Sequence, residues 1–192
     1  EGRGSHAGSS HQDGANAIVQ MAEVIQRLAD ITDYSRDLTV NVGGIKGGNM
    51  SNRVPHHVDI ILEMRAFSTE AYRHGLNSIM ALDGLSSVAS SSDGYPCKTR
   101  VILERETPPW PRNKGTEDLF SIWKETGSSL GWGVKGQERG GLSDANLFWE
   151  TVPMLDGLGP AGANAHCSEQ SEDGSKEQEY LLTPSFVPKT LL

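Results

Sequence analysis

The sequence predicts an α/β (α+β) fold whose first part is a split βαβ, ferredoxin-like domain, and three observations carry that prediction. Residues 13–30 repeat apolar side chains at helical spacing; residues 38–45 and 58–67 alternate them as strands do. Read together with the stretches on either side, the order is strand, helix, strand, strand, helix, strand. That order implies a four-stranded sheet with two helices on one face.

The opening EGRGSH supplies the first strand. In DGANAIVQMAEVIQRLAD, residues 13–30, Ile18, Met21, Ala22, Ile25, Leu28 and Ala29 form an apolar stripe, and Asp13 is positioned to cap the helix. LTVNVGGIKGG then places Leu38, Val40 and Val42 on one strand face, with glycines that signal a turn or bulge and an end near Ile45. In HHVDIILEMRAF, Val58, Ile60, Leu62 and Met64 share the inner face, so Arg65 falls on the polar side. Ser68 or Thr69 caps a second helix with Tyr72, Leu76, Ile79 and Met80 inward. KTRVILERE, residues 98–106, closes the unit as its fourth strand.

The proline-rich TPPWPRN reads as a connector, which sets domains at 1–106 and 107–192. Beyond it Thr116 caps a helix carrying Leu119, Phe120 and Trp123. WGVKGQ and VPML read as short strands, and Ser143 or Asp144 caps a short helix through Trp149. The acidic run 169–180 reads as a mobile insertion. This second half is too thin for a self-sufficient α/β domain.

Composition narrows the function classes. The chain has 192 residues and a formal net charge of -8, and it lacks the basic face that a phosphate backbone requires, so nucleic acid is not an expected partner. No apolar stretch reaches the roughly 18 residues of a membrane span. Two cysteines far apart, Cys97 and Cys167, suggest neither a disulfide framework nor a thiolate metal cluster, and fit a reducing, cytoplasmic setting.

Several residues are candidates for chemistry, each with a plainer alternative. His166 ends the glycine-rich PMLDGLGPAGANAH, where the carboxyl end of a strand can hand a ligand to an α/β site; it can equally be a loop histidine. His6 sits where the first strand runs into a loop, as a functional or a surface group. Asn52 precedes Val54-Pro55 and suits an Asx turn. Arg65 is a fork fit for a substrate carboxylate, or a partner for Glu63 or Asp59. The loop holding Gly141, RGGLSDA, offers backbone amides at a helix start. A nucleophilic Cys167 next to His166 is disfavoured, because sequence neighbours point apart.

Taken in order, GSHAGSSHQDGANAI, GGIKGGNMSNRVP, EMRAF, RGGLSDANLF and PMLDGLGPAGANAH resemble the zinc-dependent exopeptidase and amidohydrolase family of aminoacylases, succinyl-diaminopimelate desuccinylase and glutamate carboxypeptidase, and are most similar to its glutamate carboxypeptidase branch. The resemblance implies a hydrolase, a metallopeptidase or carboxypeptidase, that cleaves an amide beside a free carboxylate in a small-molecule or peptide substrate. It implies a lid domain that joins two subunits, followed by the last part of a catalytic domain. It makes His166 a metal ligand in a site for two zinc ions, with cobalt or manganese as alternatives. His6 becomes a catalytic group at the scissile carbonyl and Asn52 a substrate contact, both reaching across the dimer into the partner's active site, while Arg65 and Gly141 become further substrate contacts. The other ligands and the general base of that family come from a stretch ahead of the lid, so the chain reads as a fragment without a complete active site. A dimerisation and binding module without chemistry is the competing reading.

Overall fold

In the computed structural model the chain forms two compact units, Glu1–Pro111 and Arg112–Leu192. Every residue is described except Ser168, Gln170, Glu172, Lys176 and Leu192. The mobility expected of residues 169–180 therefore falls partly on residues outside that description.

The first unit is a β-hairpin with two helices on its apolar face. Strand β1, Leu38–Gly47, pairs antiparallel with β2, Val58–Ala66, from Leu38 opposite Ala66 to Gly47 opposite Val58. The register slips once, between Val42 and Gly44, so Gly43 is a bulge, the feature its glycines announce. Helix α1, Ala17–Ala29, and helix α2, Thr69–Met80, bury Val24, Leu28 and Ile79 together with Leu82. Val40, Val42, Ile60, Leu62 and Met64 pack against this cluster from the hairpin, as their alternation requires.

Helix α1 begins later than a cap at Asp13 would place it. Asn16, not Asp13, caps it: its Oδ1 accepts from Ile18 N (3.0 Å) and Val19 N (3.2 Å), whereas Asp13 ends a separate 3₁₀ turn. The buried side is Ala17, Gln20, Val24 and Leu28, so Ile18 and Ala22 face outward. Gln20 fits because its Oε1 accepts from Ser87 N and Val88 N, which satisfies the loop after α2. Ser68 caps α2 as expected; Met80, however, lies outside the core.

The four-stranded sheet does not form. Residues 1–6 make only isolated bridges, Arg3 with Ala15 and His6 with Arg53, and residues 98–106 form no strand. The cause lies in where their backbone groups are engaged. Gly2 N donates to His56 O, while Lys98 N and Glu1 O pair at 2.8 Å. Thr99 N donates to Leu85 O, and Val101 N goes to the Asp83 carboxylate. Those loops take the donors that a ladder would need, and Ile102 and Leu103 are left exposed.

The second unit is built on α3, Lys114–Ser129, capped by Asn113 rather than Thr116, whose N–H donates to Asn113 Oδ1 at 2.9 Å. WGVKGQ and VPML stay irregular, and Gly136 packs against the Phe120 ring instead of pairing. Ser143 caps a 3₁₀ turn, Asp144–Leu147, reciprocally with Asn146. A two-residue ribbon, β3 Gly162–Ala163 with β4 Tyr180–Leu181, and helix α4, Phe186–Leu191, complete the unit.

The core is small and rests on few residues. Leu28 is 1% exposed at the point where α1, α2 and the hairpin converge. Leu28→Ala is expected to remove about 2–5 kcal/mol, the range for a truncated core leucine. Urea titration followed by circular dichroism measures it, and a loss below about 1 kcal/mol would show that this cluster is not the centre of the fold.

Candidate functional site

The first unit brings His6 and Asn52 to one place. Val54 N donates to Ser5 O (2.9 Å) and Ala7 N to Asn52 O (2.8 Å), so residues 5–7 and 52–54 run antiparallel as a two-rung ribbon. His6 and Arg53 are the opposed pair between those rungs, with no hydrogen bond of their own. Side chains of such a pair point to the same face, with Cβ atoms about 4.5–5.5 Å apart. Arg53 thus stands beside His6, although nothing in its sequence pattern marks it.

His6 is held in one orientation by the turn that follows it. Its Nδ1 accepts from Gly8 N and Ser9 N, both at 3.1 Å. Two N–H donors on Nδ1 put the ring proton on Nε2, which has no hydrogen-bond partner among the described residues. The Asn52 side chain is exposed and likewise makes no hydrogen bond there, so its position in a turn is held by the backbone rather than by an Asx bond.

Next to this ribbon is an open cleft of about 360 Å³. Ile18, Met50, Val54 and Pro55 give it an apolar wall; His11, Asn16, Ser51 and Arg53 supply polar groups. Ile18 is 38% exposed and Met50 65% exposed, which leaves apolar surface available to an occupant.

Arg65 lies elsewhere in the unit. It is opposite Thr39, seven residues along β2 from Val58, roughly 23 Å by the rise of a strand. Glu63 takes its fork, with Nε to Oε1 at 3.1 Å and Nη2 to Oε2 at 3.0 Å. Gly141, in the second unit, is exposed, and a Cβ built there would meet nothing within 4 Å. Packing does not demand glycine at that position.

His166 is exposed on the turn after β3, with φ 65, and Asn164 two residues earlier has φ 60. Two non-glycine residues in the left-handed region make this an unusual loop. Cys167 N and Glu179 N close it, donating to Asn164 O and Cys167 O. Among the described residues no three His, Cys, Asp or Glu side chains converge.

The segment carrying His6 is anchored by Arg3. Its guanidinium grips Asp93 through two bonds of 2.7 and 2.8 Å, donates to Asp13 O, and lies over the Tyr95 ring at 4.7 Å. Arg3, then the Ser90 hydroxyl, then Tyr95 N–H hold the Asp93 carboxyl well below the usual carboxylate range.

Comparisons with known proteins agree with this architecture. Residues 1–82 match the peptidase dimerisation domain. The chain is 27% identical over 194 residues to carboxypeptidase G2 of Pseudomonas sp. (strain RS-16), an alignment spanning 99% of this chain and 43% of that protein. Among solved structures, a tripeptidase from Staphylococcus aureus superposes with a TM-score of 0.58 at 23% identity, over 79% of this chain and 39% of the other. An aminopeptidase from Bacillus cereus gives 0.51 at 21% identity over the same shares. The chain spans less than half the length of these relatives. No helix among the described residues is long and apolar enough to cross a membrane.

Asp93 binds its proton more weakly in the folded chain than in the unfolded one. Its contribution is present above the ordinary aspartate pKa near about 3.9 and is lost as pH falls below it. Asp93→Asn is therefore expected to melt below wild type at pH 7, with the gap narrowing under about pH 4. Melting curves that stay parallel from pH 7 to pH 3 would remove Asp93 from the anchor.

Proposed function

Because residues 1–82 match a peptidase dimerisation domain and the chain is 27% identical to carboxypeptidase G2, we propose that the protein is part of a homodimeric metal-dependent hydrolase that cleaves an amide bond beside a free carboxylate. The observation that carries this reading is the His6 ring, fixed by Gly8 and Ser9 on its Nδ1 so that an Nε2–H is left for an acceptor.

Each residue then has a distinct task. Nε2–H of His6 donates to the carbonyl oxygen of the scissile amide, and this bond strengthens as negative charge gathers on that oxygen. The Asn52 amide holds the substrate by its own polar groups. Gly141 lends backbone without a side chain in the way. Arg65 binds a substrate carboxylate in exchange for Glu63, while His6 and Asn52 reach across the dimer to the partner subunit's site, so the two ends of β2 need not meet on one substrate. His166 is the residue of this chain assigned to the metal, zinc with cobalt or manganese as alternatives. A bound ion of that kind polarises a carbonyl and activates water. The described residues supply no complete site for it.

A module that dimerises without chemistry is the second reading, and the match of residues 1–82 favours it for that part of the chain. Kinetics of the whole protein on an N-acyl amino acid separate the two. His6→Asn keeps an acceptor near Gly8 and Ser9 and deletes the outward donor. It is expected to lower kcat by roughly 10²–10³-fold with little change in KM, as for loss of an oxyanion donor. Turnover unaffected by this change would refute the role of His6, and a dimer with no turnover at all would favour the module.

A further inference from the structure

Five Asp-Gly steps occur in the chain, at residues 13–14, 83–84, 93–94, 156–157 and 173–174. Such a step has a chemistry of its own. The glycine amide nitrogen can attack the γ-carbon of the aspartic acid, because glycine places no side chain in the path of the approaching groups. The new N–Cγ bond closes an imide ring, and the carboxyl hydroxyl leaves as water with the proton of the amide. Water then opens the ring. Cleavage of the N–Cγ bond restores aspartate, whereas cleavage at the main-chain carbonyl carbon leaves isoaspartate, in which the chain runs through the β-carbon. The net change is an isomerisation that needs no oxidant, metal or second substrate.

Folding decides which steps can react, since the nitrogen and the carboxyl must both be free to approach each other. At four of the five the nitrogen is already engaged. Gly14 N donates to His11 O at 3.1 Å, and Gly14 is packed against Ser5 and Val54. Gly84 N donates to Thr99 O at 3.0 Å, while Asp83 Oδ1 accepts from Val101 N at 2.8 Å. Gly94 N donates to Ser90 O at 3.1 Å, and Gly174 N to Ser171 O at 3.0 Å. Arg3 and then Ser90 hold the Asp93 carboxyl, and Ser171 and then Ser175 the Asp173 carboxyl, well below the usual carboxylate range. That lowers the share of protonated acid able to react.

Asp156-Gly157 differs at both ends. Among the described residues neither the Asp156 carboxyl nor Gly157 N has a hydrogen bond or ion pair. Both residues are exposed, and a Cβ built on Gly157 would meet nothing within 4 Å. The tether nearby lies beyond the reacting atoms, where Lys189 Nζ donates to Gly157 O at 3.1 Å.

We propose that Asp156 is a modification site, at which the folded chain passes through an imide with Gly157 to isoaspartate in preference to its other four Asp-Gly steps. The product lengthens the backbone by one methylene in the glycine-rich stretch that leads to His166 and leaves a free α-carboxylate there.

Peptide mapping tests it. The protein is incubated near neutral pH and digested, and electron-transfer fragmentation tells isoaspartate from aspartate in each of the five peptides. A parallel sample is held in guanidinium chloride, and circular dichroism establishes that the first sample stays folded. In the folded chain, isoaspartate at 156 is expected in severalfold excess over each other step. In the unfolded chain the excess should shrink, because all five dipeptides then lack partners. Asp156→Glu, whose imide ring would be one atom larger, should remove the signal at that position and leave the other four unchanged. An even spread over the five steps in the folded chain overturns the proposal, as does a maximum at 13, 83, 93 or 173, or no isoaspartate at 156 over a period in which the unfolded chain converts. An excess at 156 that persists undiminished in denaturant overturns it too, since the flanking sequence rather than the fold would then set the order.

Discussion

The antiparallel pairing of residues 5–7 with residues 52–54 is the constraint on which the candidate site depends. Two backbone bonds, Val54 N to Ser5 O and Ala7 N to Asn52 O, join segments nearly fifty residues apart. Ala17 N donating to Pro55 O then ties the start of α1 to the same ribbon. Closing a loop of that length carries an entropic penalty that two exposed hydrogen bonds do not offset. The hairpin and the two helices do most of the work by bringing the ends close, and the Arg3–Asp93 grip holds the chain just ahead of His6. The ribbon is thus a dependent feature of the core, and a precise one.

The same economy explains which parts of the fold were legible. Alternation along residues 38–45 and 58–66 reports burial against helices, and burial is what the hairpin possesses, so face assignments and the glycine bulge follow from pattern. The outer strands had no such guarantee. Residues 98–106 look strand-like because Val101, Ile102 and Leu103 are β-branched or apolar, yet Val101 alone packs on the core and the backbone goes to loops. Propensity describes a residue's fitness for a sheet and says nothing of whether an edge is free to receive it. Helix starts failed for a similar reason: Asp13 and Asn16 are both good caps, and the choice is made by Pro55 accepting from Ala17, a contact remote in sequence.

Among the candidate residues, ordered motifs point to His6 and Asn52, and the structure adds what a motif cannot hold, the orientation of the imidazole and the identity of its neighbour. Arg65 carried a stated alternative, pairing with Glu63, and that pair is present. Residues i and i+2 on a strand share a face, so the pairing was readable from spacing alone. Arg53 gave no signal of its own. Its place opposite His6 comes from a pairing made only after folding, and no local pattern joins the two.

A further regularity sets the site apart from its surroundings. Near the ribbon the polar groups of Arg3, Asp93, Asn16 and His6 Nδ1 are matched by partners within the unit. Those of Arg53, the Asn52 amide and His6 Nε2 are left to solvent. At an exposed position an unmatched donor costs little, because water satisfies it, so stability exerts no pressure to pair these groups. His6 alone of these is fixed in direction, by Gly8 N and Ser9 N on its Nδ1, and a fixed donor loses less freedom on meeting an acceptor than a mobile one does. By the alternation of a strand, His6 and Arg53 share one face of the ribbon and Asn52 takes the other, so the unmatched groups are divided between its two faces and the oriented one stands on the face that Arg53 shares.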